Sequence, residues 1–246
     1  MPHPHIPSVV FDLDGTLVDS EPHYFEAGRQ TLARHGATLT WEEHQRFVGI
    51  GTRETLAHLK ARYGLAAPLD ELLAEKNRDY LRLAAAGTRV FPQMRVLVER
   101  LRTAGVPMAV ASGSSRAAIE AVLEGTGLAP LLPVTVSAEE VARGKPAPDV
   151  FLAAAHRLGT APDRCVVVED AAPGVAAAHA AGMRCVAVPY VGGAAGAGPG
   201  GDDPAGPGTG TDPGADVFAR AELLFPGGQD EFTADAAWAW LTGTAT

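Results

Sequence analysis

Cysteine is scarce, with two in 246 residues, and no zinc-type spacing of cysteine and histidine is present. Cys165 and Cys185 each fall in an apolar run with the character of a buried strand. Both are therefore read as core thiols rather than as a disulfide or a catalytic pair. Positive charge is also short. The formal net charge is -9 and no Lys/Arg-rich run occurs, which removes the electrostatic footprint of a nucleic-acid binder. No stretch approaches the roughly 18 uninterrupted apolar residues of a membrane span. The opening MPHPHIPSVVFDLDG lacks the basic region and long apolar segment of a secretion signal. The expectation is a soluble, cytoplasmic protein without nucleic-acid or membrane partners, and His3 and His5 are read as part of a frayed tail.

What is present is enough apolar residue for a real core, 46% of the chain. Val9 to Phe11 is short, apolar and rich in β-branched residues, as a parallel strand covered on both faces should be. Runs of the same kind recur at 106–112, 133–137, 165–170 and 184–189. Most are separated by helical patterns such as MRVLVERLRTAG and DVFLAAAHRLG, which often stop on glycine. This alternation predicts an α/β fold, a doubly wound parallel sheet with right-handed crossovers.

One crossover is too long. Such a connection needs only about a dozen residues, yet residues 21 to 90 intervene before the approach to the next strand near Phe91. The segment reads as helices, in YFEAGRQTLARHG, WEEHQRFVG, TRETLAHLKARYG and LDELLAEKNRDYLRLAAAG. We therefore expect an all-helical cap over 21–88 inserted into a core of 1–20 and 89–246. Leaving after the first strand, it should cover the carboxyl edge of the sheet, where open α/β sheets bind ligands. Residues 191–216, almost wholly Gly, Ala, Pro, Asp and Thr, are expected to form a flexible surface loop. Beyond it, VFARAELL and DAAWAWL read as helices that dock on the sheet.

The first strand opens onto Asp12 and Asp14 in VVFDLDGTLVDS. Side chains two apart in an extended segment point the same way, and Gly15 then permits a sharp turn. Two such carboxylates can take different roles when a cation holds one and the other's proton affinity is raised, which suits a nucleophile beside a general acid/base. A second pair, Glu169 and Asp170, closes a later strand in CVVVEDAAPGV. Parallel strands end on one edge, so four acidic groups converge there. Oxygen-only ligation of that kind favours magnesium. Ser112, Gly113, Ser114 and Ser115 lie between a strand and a helix start, where hydroxyls and backbone N–H groups can hold phosphate. Lys145, one of only three lysines in the chain, offers a compact point charge in RGKPAPDVF.

FDLDGT, VASGSS, GKPAPDVF and VVVEDAAPGVAAAHAAGM, in this order over about residues 8 to 190, resemble the haloacid dehalogenase superfamily. The resemblance is to its phosphatases and mutases with a helical cap. It implies a Rossmann-like core and an Asp12 nucleophile that forms an aspartyl-phosphate, with Asp14 as general acid and base. It implies magnesium on the Asp12 carboxylate, the Asp14 carbonyl and Asp170, with Glu169 in or just behind that shell. Ser112, Gly113 and Lys145 would hold the phosphoryl oxygens. Ala171 stands where many relatives have serine. In β-phosphoglucomutases a histidine on the first cap helix assists transfer. Here Tyr24 takes that place, with His23 one position early. VGIGTRETL is similar to the substrate loop of that branch, and Arg53 is read either as a substrate contact or as an exposed helix-start residue; Glu21 and Lys76 are further cap candidates. The expected activity is hydrolysis of a small phosphomonoester, a sugar or polyol phosphate, by a monomer, with a mutase as the alternative. A dehalogenase fits less well, because Asp14 and the second acidic pair suit metal-dependent phosphoryl transfer.

Overall fold

The computed structural model describes residues 6–47, 50–191 and 215–244. His3, His5 and residues 192–214 of the expected loop lie outside them. The chain begins with β1 (Ser8–Phe11) and β2 (Val18–Asp19) and then runs through α1 (Glu21–Arg34), α2 (Trp41–Gln45), α3 (Thr52–Tyr63) and α4 (Leu69–Ala86). There follow β3 (Arg89–Val90), α5 (Pro92–Thr103), β4 (Met108–Ser112), α6 (Arg116–Thr126), β5 (Thr135–Ser137) and α7 (Asp149–Leu158). The last elements are β6 (Cys165–Glu169), α8 (Ala172–Ala180), β7 (Arg184–Ala187), α9 (Ala215–Phe218), β8 (Leu223–Leu224) and α10 (Ala234–Thr242).

Six strands form one sheet in the order β5-β4-β1-β6-β7-β8, and every neighbouring pair is parallel. The unbroken apolar character of the strands has a direct cause, because alternate residues enter two different cores. Val9, Phe11, Met108, Val110, Val166, Val168 and Val186 face one layer, which includes Met94, Leu97 and Val98 of α5 and Ile119 and Val122 of α6. Val10, Ala109, Ala111, Cys165, Val167, Cys185 and Ala187 face the other, with Val150, Phe151, Ala154 and Ala155 of α7 and Val175, Ala177 and Ala178 of α8. The second layer is richer in alanine and includes both cysteines. They are free and buried, and burial pushes the Cys165 thiol up to about 11, so it stays an uncharged core group.

Helices α1 to α4 have an apolar cluster of their own, with Leu32, Leu39, Leu56, Leu59, Leu65 and Leu72. Tyr80 and Ala84 of α4 join the layer that contains α6, and the backbone of Ala84 comes close to Gly125. The helical segment thus rests on the sheet domain through α4.

One expectation is corrected, and one element is new. As expected, a helix, α5, and then the strand β4 follow the return near Phe91, but the returning chain first adds a short strand. It forms β3, antiparallel to β2 in a separate two-stranded ribbon, and Phe91 is the residue that precedes α5. VFARAELL is not a continuous helix: α9 ends at Phe218, and Leu223 and Leu224 pair with Val186 and Ala187 as a sixth strand. The physical reason is the exposed edge of β7, whose backbone groups need partners. Glu222 contributes further, its side chain accepting from Cys185 N at 2.6 Å.

Candidate active site

Phe11 pairs with Val168, and Asp12 N donates to Val168 O at 2.9 Å, so the ladder continues one residue past the strand. Asp12 therefore emerges beside Glu169, at the carboxyl ends of adjacent strands. Lys145, from the loop between β5 and α7, reaches both: its Nζ lies 2.5 Å from Asp12 Oδ1 and 2.6 Å from Glu169 Oε1. The other Glu169 oxygen accepts from the backbone N–H groups of Asp170 and Ala171, each at 2.7 Å. Asp170 is held by the Thr16 hydroxyl at 3.0 Å.

Two glycines make this crowding possible. Gly15 has φ +82°, and a Cβ there would run into the Asp170 carboxylate; a Cβ on Gly174, in the first turn of α8, would overlap the carboxylate of Glu169. Oxygens of Asp12, Glu169 and Asp170, all buried, lie within 4.8 Å of one another. Burial raises the proton affinity of Asp12; Lys145 opposes that rise, while Glu169 and Asp14 add to it. Burial, then Glu169 and Asp12, raise Asp170 as well. Burial also works against the Lys145 charge, but Asp12 and Glu169 outweigh it and hold the ammonium above the usual lysine range.

The Asp14 carboxylate is placed differently. It accepts from Ser114 Oγ at 2.6 Å, Ser20 Oγ at 2.7 Å, Ser112 Oγ at 3.2 Å, Tyr80 OH at 3.2 Å and Tyr24 OH at 3.4 Å. Hydroxyls from the sheet and from α1 and α4 meet on one side chain. Tyr24 and Tyr80 stack with ring centroids 4.2 Å apart.

A cavity of about 270 Å³ opens between the strand ends and the helices. Asp12, Asp14, Ser112, Gly113, Lys145, Glu169 and Asp170 line it from the sheet side, and Glu21, Tyr24 and Lys76 from the helical side. His23 and Arg53 are not among the lining residues. His23 Nε2 lies 2.9 Å from Gly87 O, and Arg53 is exposed and paired with Asp70 at 2.6 Å. Of the substrate-loop resemblance, Val48 and Gly49 lie outside the described residues, whereas Ile50, Gly51, Thr52 and Thr55 line the cavity. Sequence reasoning gave no role to His44, Tyr80 and Thr16. His44 had no spacing signal, and Tyr80 looked like one more apolar position of α4.

Residues 6–182 match the family described as haloacid dehalogenase-like hydrolase. The chain belongs to this hydrolase family. Among its relatives, Hexitol phosphatase A of Escherichia coli is 39% identical over 182 residues, covering 73% of this chain and 81% of the relative. The Bifunctional riboflavin kinase/FMN phosphatase of Arabidopsis thaliana is 36% identical over 185 residues, which is 74% of this chain but 48% of that longer protein. In structure the hydrolase is similar to CbbY from Rhodobacter sphaeroides in complex with phosphate, with TM-score 0.73 and 26% identity over 89% of this chain and 93% of that one.

Members of the family typically use a divalent metal, and the residues present fit one. Three buried carboxylates, two of them with proton affinity raised by burial and by acidic neighbours, form an oxygen-only donor set of the kind hard cations prefer. The glycine cradle leaves Asp170 and Glu169 room to approach. Among the described residues no helix is long and apolar enough to cross a membrane.

Proposed function

We propose that this hydrolase is a magnesium-dependent phosphatase that cleaves a small phosphomonoester, a sugar or polyol phosphate, through an aspartyl-phosphate on Asp12. The observation that carries this reading is the division of labour between neighbouring carboxylates: Asp12 lies against Lys145, and Asp14 rests among hydroxyls from both walls.

An Asp12 oxygen attacks phosphorus in line and the ester P–O bond breaks, while Asp14 gives its proton to the departing alkoxide. Asp14 then takes a proton from water as that water attacks the phosphorus, and the bond to Asp12 breaks to release phosphate. Ser112, Gly113 and Lys145 hold the phosphoryl oxygens, and the ammonium offsets their growing charge. Magnesium, held by Asp12, Asp170, the Asp14 carbonyl and Glu169, would supply electrostatic stabilisation of the phosphoryl group. The lid and the catalytic edge come from one chain, which suits a monomer acting on a small phosphorylated metabolite.

Tyr24 favours hydrolysis over mutase chemistry. Its hydroxyl is 2.6 Å from Ser114 Oγ, and burial, then Asp14, push its proton affinity well above the usual phenol range. A phenol so placed is a poor proton carrier for transfer to a sugar hydroxyl. The names of Hexitol phosphatase A and of the FMN phosphatase agree with a phosphomonoester substrate.

The test is incubation with glucose 1-phosphate, glucose 6-phosphate and other small esters, with and without magnesium, following free phosphate and isomer. Magnesium-dependent release of phosphate that an Asp12→Asn variant lacks is the expected result. Isomer without free phosphate would establish the mutase instead, and turnover of no ester would overturn the phosphatase reading.

A further inference from the structure

The family match ends at residue 182, yet a later segment reaches the turn that follows Asp14. After β8 the backbone folds back on itself: Phe225 N donates to Ala187 O and Phe232 N to Gly228 O, each at 2.9 Å, and the Phe225 and Phe232 rings meet edge to face at 5.1 Å. Gly228 lies so close to Pro189 O that a side chain there would overlap it. These contacts fix the short turn Gly228–Asp230, which carries Gln229. The Gln229 amide Nε2 donates to Thr16 O at 3.0 Å and to Gly15 O at 3.4 Å.

Two parts of the acidic site hang on those peptides. Asp14 comes immediately before them, and the Thr16 hydroxyl donates to Asp170 Oδ1 at 3.0 Å. The turn's own bonds, Gly15 N to Val18 O and Leu17 N to Leu13 O, close it on itself. Gln229 ties it to a second segment. Thr16 is fully buried, and among the described residues no other group donates to Gly15 O or Thr16 O. A primary amide has two N–H groups, one for each carbonyl, where a hydroxyl has one proton and a carboxylate none. Without it, buried acceptors would stand alone and the turn would have reason to shift. Gln229 does not line the cavity, so it acts through the turn and not on the substrate.

We propose that Gln229 is a positioning residue for the reaction: by holding the Gly15 and Thr16 carbonyls it sets the turn so that Asp14 meets the leaving group and Asp170 meets the metal. This rests on the roles given to Asp14 and to magnesium above. A residue acting in this way governs turnover and metal affinity together and leaves the grip on the ester alone.

The test uses two variants of the full-length chain, Gln229→Met, which keeps the length and loses the donors, and Gln229→Ala, each checked for a cooperative melt. On whichever ester of the panel above is turned over fastest, kcat should fall about fivefold, the weight of one neutral hydrogen bond, with KM within about twofold of wild type. Calorimetric titration with magnesium alone should show binding weakened by about the same factor. Leu241→Ala, a core truncation on α10 away from the turn, should lower the melting temperature and move neither value. Unchanged kcat and magnesium affinity in both Gln229 variants overturn the proposal, as does a rise in KM alone. An equal change in Leu241→Ala also overturns it, by showing that only stability was lost. If no ester is hydrolysed, the phosphatase reading fails on its own and the magnesium titration still decides: weaker binding in the variants supports the positioning role, whereas equal binding, or none in wild type, overturns it.

Discussion

On the sheet side of the cavity each acidic or basic group sits at the end of a parallel strand or in the loop that follows it, fixed by backbone hydrogen bonds and by glycines that admit no side chain. On the helical side, Glu21, His44 and Lys76 come from three helices whose relative placement depends on a small leucine cluster. Backbone ladders set the first wall and side-chain packing sets the second. The two walls meet at Asp14, whose carboxylate accepts from Ser112 and Ser114 on the sheet side and from Tyr24 and Tyr80 on the helical side.

The sharpest way to break this contrast is at Asp12. Asp12→Asn should lower the rate of phosphate release at least about 1,000-fold, measured under saturating substrate, because the nucleophile itself is lost. Gly174→Ala comes next, since its methyl group must displace the Glu169 carboxylate. It should cost about 1–3 kcal/mol of stability, seen in urea denaturation, and should raise the magnesium concentration needed for half-maximal activity.

Lys76→Met tests the other wall with the opposite sign. Burial depresses this ammonium to about 8, with Glu21 and Asp14 resisting. Below that pH the lysine is charged in the folded and the unfolded chain alike, and the burial penalty is fully present. Between there and the usual lysine value of 10.5, the folded chain has given up a proton that the unfolded chain still holds, so wild-type stability rises with pH. The methionine variant should therefore be more stable at pH 7 by up to about 3 kcal/mol, and denaturant curves should show this advantage shrinking toward pH 10.

Tyr24→Phe removes one hydroxyl from the network on Asp14 and should lower kcat about fivefold, the equivalent of roughly 1 kcal/mol, in steady-state assays. Smallest is Arg53→Ala: its pair with Asp70 is solvent-exposed, so stability should change by less than about 1 kcal/mol and substrate ratios should not move.

The same contrast explains what could be read in advance. Strand ends carry their chemistry in consecutive residues, so Asp12, Asp14, Glu169 and Asp170 were legible together, along with the parallel sheet. Lys145 gained meaning only from a resemblance, because nothing in RGKPAPDVF says which carboxylates it will meet. His44 stands alone in WEEHQ, and its partnership with Glu21 exists only once α1 and α2 have packed. Arg53 fitted a loop pattern, yet its guanidinium found Asp70 at the surface. The short strands β2, β3 and β8 span two residues each, too few for any periodic signal to register.

The β2–β3 ribbon sets the terms on which the helices are attached. Val18 lies opposite Val90 and Asp19 opposite Arg89, so the chain departs and returns through neighbouring strands about 5 Å apart. To the sheet, everything from Ser20 to Thr88 is a loop whose two ends already touch. Closure entropy grows only with the logarithm of such a loop's length, so its contents can be lengthened, shortened or exchanged at little expense to the fold. The ribbon thus works as a clasp, closing a long helical excursion where it leaves and rejoins the sheet domain.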